Sequence, residues 1–278
     1  MRVLFIADYF NNQINGGGEN NDAVLIAYLR SNDIEVTCEQ TDSTTIVQVD
    51  DHDKIIVGNF VLLPEAIKKH LVDNSKYIIY EHDHKYVRTR DPSKFPNFVI
   101  PPEELINVEF YHKAQHVVVL SQICKDVMEE NLGNINVHSI GSSLWSEKKL
   151  EFLKNCSKDK SEEFALVDSD NPTKGRAAAI KFCQSKKIDF NLISSSDQYE
   201  FLQLLAKHKT LVFIPQVLET YCRLVAEAKM LDCMVYTNRG LIGFMSEPYS
   251  DQKGLTLIKT IEDKVAAALE YFYAAVTS

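Results

Sequence analysis

The stretch Thr210-Leu-Val-Phe-Ile-Pro-Gln-Val-Leu-Glu219-Thr-Tyr-Cys-Arg-Leu-Val-Ala-Glu227-Ala-Lys229 reads as a strand, a loop and the start of a helix. A short apolar run, residues 210–214, leads in. An apolar run with helical spacing follows from Arg223. Seven residues separate Glu219 from Glu227, so one carboxylate lies in the loop and the other about a turn into the helix. Thr220, Tyr221, Cys222 and Arg223 are expected to form the first helical turn, whose backbone N–H groups lack intrahelical acceptors. Two hydrogen-bond acceptors beside a helix N-terminus that attracts phosphate match the groups of a sugar nucleotide.

Outward from this stretch the same alternation continues in both directions. Upstream, strands are expected at 2–7, 35–38, 54–57, 77–80, 116–120 and 136–140. Helices are expected at 21–30, 64–72, 102–113 and 122–132. The order β-α-β-β-α-β-α-β-α-β implies a mostly parallel sheet wrapped by helices. Residues 146–162 are charged and lysine-rich, Lys149 among them, and fit a connecting helix and linker. The alternation then restarts with strands at 164–167, 189–193, 210–214 and 234–237. Helices at 175–185, 198–207, 223–231 and 261–276 accompany them. Two domains are therefore expected, 1–145 and 163–278, with the last helix able to pack back on the first. Open α/β sheets bind ligands beyond the carboxyl ends of their strands, so the loop edges of both would face a cleft between them.

Composition limits the function classes. The 278 residues are 45% hydrophobic and 25% charged, an ordinary globular balance. No apolar run reaches the length of a membrane span. The N-terminus reads as a first strand rather than a signal peptide. Six cysteines without a Cys-x-x-Cys pattern fit free thiols in a reducing cytoplasm, which would be the host cytoplasm for a viral protein. The net charge of −9 sits mostly in the first half, which argues against broad nonspecific nucleic-acid binding but leaves room for one local basic groove.

Three further constellations carry chemistry. Asn15-Gly-Gly-Gly-Glu19 lies between the first strand and a helix, where glycines allow close backbone approach to a ligand and unusual dihedrals. It fails the dinucleotide fingerprint, because Asn21 stands where a third glycine is needed. Asp170-Asn-Pro-Thr-Lys-Gly175 places Lys174 at a helix start, suited to neutralising a diphosphate. Tyr80-Glu-His-Asp-His84 follows a strand of the first domain. It offers His82 and His84 for acid–base work but no third ligand at metal spacing. The basic, aromatic loop of residues 85–94 comes next, with Arg88 and Arg90.

Taken together these residues resemble the retaining nucleotide-sugar glycosyltransferases of the GT-B fold, family 4 in particular. Gly16-Gly-Gly-Glu19 looks like that family's Gly-Gly-Ala-Glu loop. Val117-Val-Val-Leu-Ser121 through Ser139-Ile-Gly-Ser142 resembles the run that closes its first domain. Pro172-Thr-Lys-Gly175 resembles its Lys-Gly element, and Glu219 to Glu227 matches its Glu-x7-Glu motif. Small size and pared-down motifs are similar to viral or phage members, some of which glycosylate modified DNA bases. Two departures stand out. Ser169 replaces the usual arginine, and Thr220-Tyr-Cys222 replaces Gly-Phe-Gly. Arg223 is the candidate to restore the lost charge.

The resemblance implies an α/β, GT-B-like chain of two Rossmann-like domains with a cleft between them. It implies a hexosyl- or pentosyltransferase that needs no metal and no obligatory cofactor, with a UDP- or GDP-linked sugar as co-substrate. Glu219 would hold the donor sugar hydroxyls, Glu227 the ribose, and Lys174 the diphosphate. Gly17 and Gly18 would lie by the diphosphate or the acceptor. Thr220, Tyr221, Cys222 and Arg223 would complete the donor site. His82 or His84 would sit near the reacting carbon, with His84 favoured on the acceptor side. Glu19, Arg88 and Arg90 would meet an acceptor glycan, a small molecule or DNA. A noncatalytic sugar- or nucleotide-binding module is the alternative.

Overall fold

In the computed structural model the apolar N-terminal run is strand β1 (Arg2–Ala7), buried from Val3 onward. The structure describes residues 1–74, 76–156 and 159–278. They fall into two units, Met1–Trp145 with Lys264–Ser278, and Ser146–Asp263.

In the first unit β1 is followed by α1 (Gly17–Ser31), β2 (Glu35–Gln40), α2 (Ile46–Asp50), β3 (Lys54–Val57) and α3 (Glu65–Asn74). Then come β4 (Tyr77–Tyr80), α4 (Val108–Lys113), β5 (His116–Val119), α5 (Gln122–Leu132) and β6 (Val137–Ser139). The strands pair in the order β2-β1-β3-β4-β5-β6, every neighbour parallel. Helices cover such a sheet on both faces, which is why Tyr77–Tyr80 is apolar-rich rather than alternating and is buried throughout.

The second unit holds α6 (Glu147–Asn155), β7 (Ser161–Val167), α7 (Arg176–Lys186), β8 (Phe190–Ile193), α8 (Gln198–Ala206), β9 (His208–Val212), α9 (Arg223–Met230) and β10 (Met234–Tyr236). Its sheet is also parallel, in the order β10-β9-β7-β8. Leu166 and Val212 of the sheet pack on Ala179 and Cys183 of α7, with Phe164 and Phe182 at the margin. The last helix, α10 (Gly254–Thr277), begins in the second unit, and its residues from Lys264 on group with the first.

Both sheets contain a point where strand order reverses, between β1 and β3 in the first and between β7 and β9 in the second. Such a reversal is where loops leaving neighbouring strands diverge and where open α/β sheets place a ligand crevice.

Several elements differ from the sequence expectation. Helix α1 starts at Gly17, not at residue 21, so Gly17 and Gly18 lie inside its first turn. Neither is among the residues with positive φ, and Gly16, just ahead of the helix, is extended at φ −107°. The expected use of these glycines for unusual dihedrals is therefore corrected, and at Gly18 it is the missing side chain that counts, since a Cβ there would lie 3.2 Å from the His82 ring. The expected helix at 102–113 is broken. One 3-10 turn covers Pro102–Glu104, and α4 starts only after Asn107, which sits in the left-handed region at φ 55°. Helix α10 begins seven residues earlier than expected, because Leu257 and Ile258 extend the buried stripe of Ile261, Val265 and Phe272. The first turn of α9 begins at Arg223, so Thr220, Tyr221 and Cys222 precede the helix. Cys222 is its left-handed N-cap at φ 71°. The short α2 went unrecognised, although Thr45 and Gln48 form a capping box at its start.

Candidate functional site

In the second unit the site is built by two loops that leave β7 and β9 at the switch point. The β7 loop is folded on itself. The Asn171 side chain accepts from the backbone and hydroxyl of Thr173, and Pro172–Lys174 make one 3-10 turn. Gly175 follows at φ 69°. A Cβ there would lie 1.7 Å from the carbonyl oxygen of Ile214, so glycine is required by both conformation and space. That close approach, with the Gln216 N–H donating to the Thr173 carbonyl at 2.8 Å, clamps the two loops together. The result is a 2.8 Å ion pair between Lys174 Nζ and Glu219 Oε1.

Glu219 is fixed along its backbone as well. Its N–H donates to Leu241 O at 3.0 Å and its carbonyl accepts from Gly243 at 2.9 Å. Two residues on, Tyr221 is buried, with its hydroxyl 2.9 Å from that of Tyr249. Cys222 is buried too, and burial beside Glu219 pushes its thiol well above the usual range. Its φ of 71° is left-handed, a glycine-like bend carried by a residue with a side chain.

Glu227 is not a solvated helix carboxylate. Its side chain is 9% exposed, with Lys149 Nζ at 3.3 Å and Arg223 Nε at 3.7 Å, both on Oε1. Lys149 comes from the first turn of α6 and also donates to Gln198 Oε1 at 2.5 Å. Burial, aided by the nearby Arg223 guanidinium, lowers its ammonium pKa against the opposing pull of Glu227. Ser169 turns its own loop by accepting from the Asn171 N–H. Arg176, just past Gly175, pairs with Asp168 and Asp170.

In the first unit Gly17 and Gly18 start α1, and Glu19 folds back over Gly16. The Glu19 carboxylate accepts from Asn59 Nδ2 at 3.4 Å. His82, two residues past β4, meets Asp22 of α1 at 2.7 Å, Nε2 to Oδ1. His84 is instead enclosed, at φ 40°, with Tyr86 Oη at 3.2 Å and Cys124 Sγ at 3.9 Å. Just before the two histidines, Glu81 is buried and bound by Lys85, the Tyr111 hydroxyl and the Asp83 N–H. Burial pushes its carboxyl up, but Lys85 and these donors outweigh it and hold the pKa below the usual range. Arg88 and Arg90 are exposed and pair with Glu104 and Asp83. They line a groove of about 980 Å³ with Lys68, Lys69, Lys85 and the rings of Phe60 and Phe110. Among the described residues, no group of three or more His, Cys, Asp or Glu is placed to hold a metal ion. No helix among them is long and apolar enough to cross a membrane.

No protein-family model matches the chain, and neither does any curated protein. Solved structures do. HepE of Anabaena, in complex with UDP and glucose, superimposes with a TM-score of 0.56 at 13% identity, covering 98% of this chain and 100% of that one. The apo lipopolysaccharide outer core galactosyltransferase WaaB gives 0.57 at 11%, covering 100% and 99%. An alpha-glucosyltransferase in complex with UDP and a 13-mer DNA containing an HMU base gives 0.50 at 11%, covering 100% of both chains. The fold is GT-B. At these identities the likeness extends to architecture.

Within this GT-B chain the candidate residues separate into three groups. Lys174 with Glu219, and Arg223 with Glu227, are brought into ion pairs at one sheet edge. Gly18 and His82 are brought together in the first unit. His84 turns away into the core, toward Tyr86 and Cys124. Sequence reasoning missed Asp22 and Lys149. Asp22 was hidden in an amphipathic helix pattern and Lys149 in a lysine-rich run, and neither has a partner nearby in sequence.

Proposed function

We propose that the chain is a glycosyltransferase that moves a sugar from a UDP-sugar to an acceptor hydroxyl with retention of anomeric configuration. The observation that carries this reading is the Lys174–Glu219 pair at the switch point of the second sheet, held there by Gly175. A carboxylate and an ammonium in that place suit sugar hydroxyls and a diphosphate respectively. UDP is chosen over GDP because HepE and the alpha-glucosyltransferase carry UDP.

In this reading Glu219 holds the donor sugar, Glu227 accepts from the ribose hydroxyls, and Lys174 with Arg223 receives the diphosphate. The bond from the anomeric carbon to the diphosphate oxygen breaks, and its electron pair leaves with the diphosphate. The acceptor oxygen bonds to the carbon from the same face and gives up its proton to the departing phosphate. Stabilising the charge that develops on the leaving group supplies most of the rate. Thr220, Tyr221, Cys222, Gly17 and Gly18 shape the donor surroundings, and His82 lies on the acceptor side. A cytoplasmic setting suits the six free cysteines.

The test is incubation with a panel of UDP-sugars and assay of released UDP. At least one sugar is expected to turn over, and Glu219→Ala is expected to abolish release. UDP binding without release from any UDP-sugar, with every acceptor class present, supports a noncatalytic binding module instead.

The acceptor has a second, narrower reading, a modified base in DNA. Its support is the groove where five cations, Arg88 and Arg90 among them, outnumber the carboxylates Glu65, Asp73 and Glu109, together with the likeness to the DNA-bound alpha-glucosyltransferase. Retarded migration of DNA at low salt, lost in Arg88→Ala/Arg90→Ala, is the outcome expected of a DNA acceptor.

A further inference from the structure

The part of α10 that groups with the first unit meets its sheet at two histidines. His116 opens β5, and His138 stands in the middle of β6. Strand pairing aligns Tyr80, Val118 and His138 across β4, β5 and β6, and sets Ile78 beside His116. Residues paired in this way share a face of the sheet, so both imidazoles stand on the same side. Tyr271 of α10 sits on both. Its ring stacks on His138 with 3.9 Å between centroids and 11° between planes. Its hydroxyl lies 3.0 Å from Nδ1 of His116. The next residue, Phe272, is fully buried and packs edge-on against Tyr80, whose ring lies 4.2 Å from that of His82. The contact that seats the helix therefore continues to the carboxyl end of β4.

The hydrogen bonds decide the protonation state of His116. Asn136 donates through Nδ2 to the Gln115 carbonyl, which only accepts, so the orientation of its amide is fixed. The same Nδ2 lies 3.3 Å from Nδ1 of His116. Nδ1 must accept there, which puts the ring proton on Nε2 and leaves the ring neutral. A second proton would go on Nδ1, facing an amide donor. Among the described residues neither histidine has a carboxylate in ion-pair reach, and the charges that act on them are cations. For His116 the cation is Lys54 of β3, which donates to Gln115 Oε1 at 2.9 Å. For His138 they are Lys125 of α5 and His116 itself. From α10 the titratable group is Tyr271, whose phenol is raised by burial. A charged His138 would gain a cation–π contact with that ring. Burial outweighs the gain: both imidazoles are held below their ordinary range, first by burial and then by these cations.

We propose that His116, His138 and Tyr271 form an acid-sensitive latch, which seats the C-terminal half of α10 on the first sheet and loosens when the histidines take up protons. A histidine held low in the folded state supports docking fully above its unfolded value of about 6.5. That support is lost as pH falls from there through the folded value. Loosening withdraws Phe272 from Tyr80, beside His82. The latch does not depend on the transferase reading.

Hydrogen exchange at about pH 7.5 and about pH 5, corrected for intrinsic rates, reads the latch directly. Protection of residues 264–277 is expected to fall about tenfold or more at the lower pH, the scale on which a titrating group moves an opening equilibrium. Strand β1 should keep its protection. Histidine NMR titration should show both imidazoles titrating below about 6.5. His138→Phe keeps a stacked ring, His116→Asn keeps an acceptor near the Nδ1 position, and neither new side chain titrates. The double variant is expected to protect 264–277 equally at both pH values. Unchanged wild-type protection at about pH 5 overturns the latch, as does either histidine titrating at or above about 6.5. An equal fall in β1 would be global acid unfolding and overturns it too. So does acid loosening that persists undiminished in the double variant. Should that variant fail to fold, the wild-type exchange and titration still decide.

Discussion

Gly175 lets the loops after β7 and β9 close on each other. Its φ of 69° and its approach to Ile214 O are both denied to a larger residue. Gly175→Ala is expected to destabilise the chain by about 3 kcal/mol or more, combining left-handed strain with a backbone clash. Turnover should fall with it, because the loop must move Lys174 away from Glu219. Urea unfolding and UDP release check both parts, and a loss under about 1 kcal/mol would show that the clamp is not needed. The Lys-Gly pair was legible in the sequence as a helix start. The reason for the glycine was not, because Ile214 approaches it only through the packing of β9 beside β7. At Gly17 and Gly18 the residue type was noticed and its use misread. Their backbone is ordinary, and for Gly18 it is the His82 ring that requires the missing side chain.

Among the elements, α6 is the one whose part in the site was least visible. Its lysines read as a solvated, connecting segment, yet Lys149 is buried against Glu227 with Gln198 as its second partner. Leu150 and Leu153 give the helix its apolar face, and Ser146 caps it. Lys149→Met keeps most of the side-chain volume and leaves Glu227 with Arg223 as its remaining cation of that pair. A loss of about 2 kcal/mol in stability is expected from the weakened buried charge pair. KM for the UDP-sugar should rise about tenfold, the weight of one charge-assisted hydrogen bond. A donor analogue lacking the ribose 2′ and 3′ hydroxyls should show a smaller rise. Equal changes for both donors would mean that Glu227 does not meet the ribose. The strands and long helices were legible because their apolar spacing is local. The breaks were less so: asparagine tolerates the left-handed region, which leaves Asn107 open to such a turn, but nothing in a cysteine announces the one at Cys222.

For the whole molecule, the division into two units sets where a nucleotide should act. Lys174, Glu219, Arg223, Glu227 and Lys149 all belong to Ser146–Asp263. Hydrogen exchange with saturating UDP is expected to protect residues 172–176 and 219–227 above all. At about 100 times Kd the added stability is about 2.7 kcal/mol. Protection centred instead on the first unit would place the nucleotide at its switch point, by the start of α1. Two parallel sheets, and their order along the chain, followed from periodicity, since a strand covered on both faces must be apolar wherever it occurs. The Glu-x7-Glu spacing was likewise complete in one stretch of sequence. The partners of its second glutamate, and the pairing of Asp22 with His82, were decided by the tertiary structure alone. Charge pairing depends on distances through space. Those distances are set by packing between elements far apart in the chain, which no local pattern records.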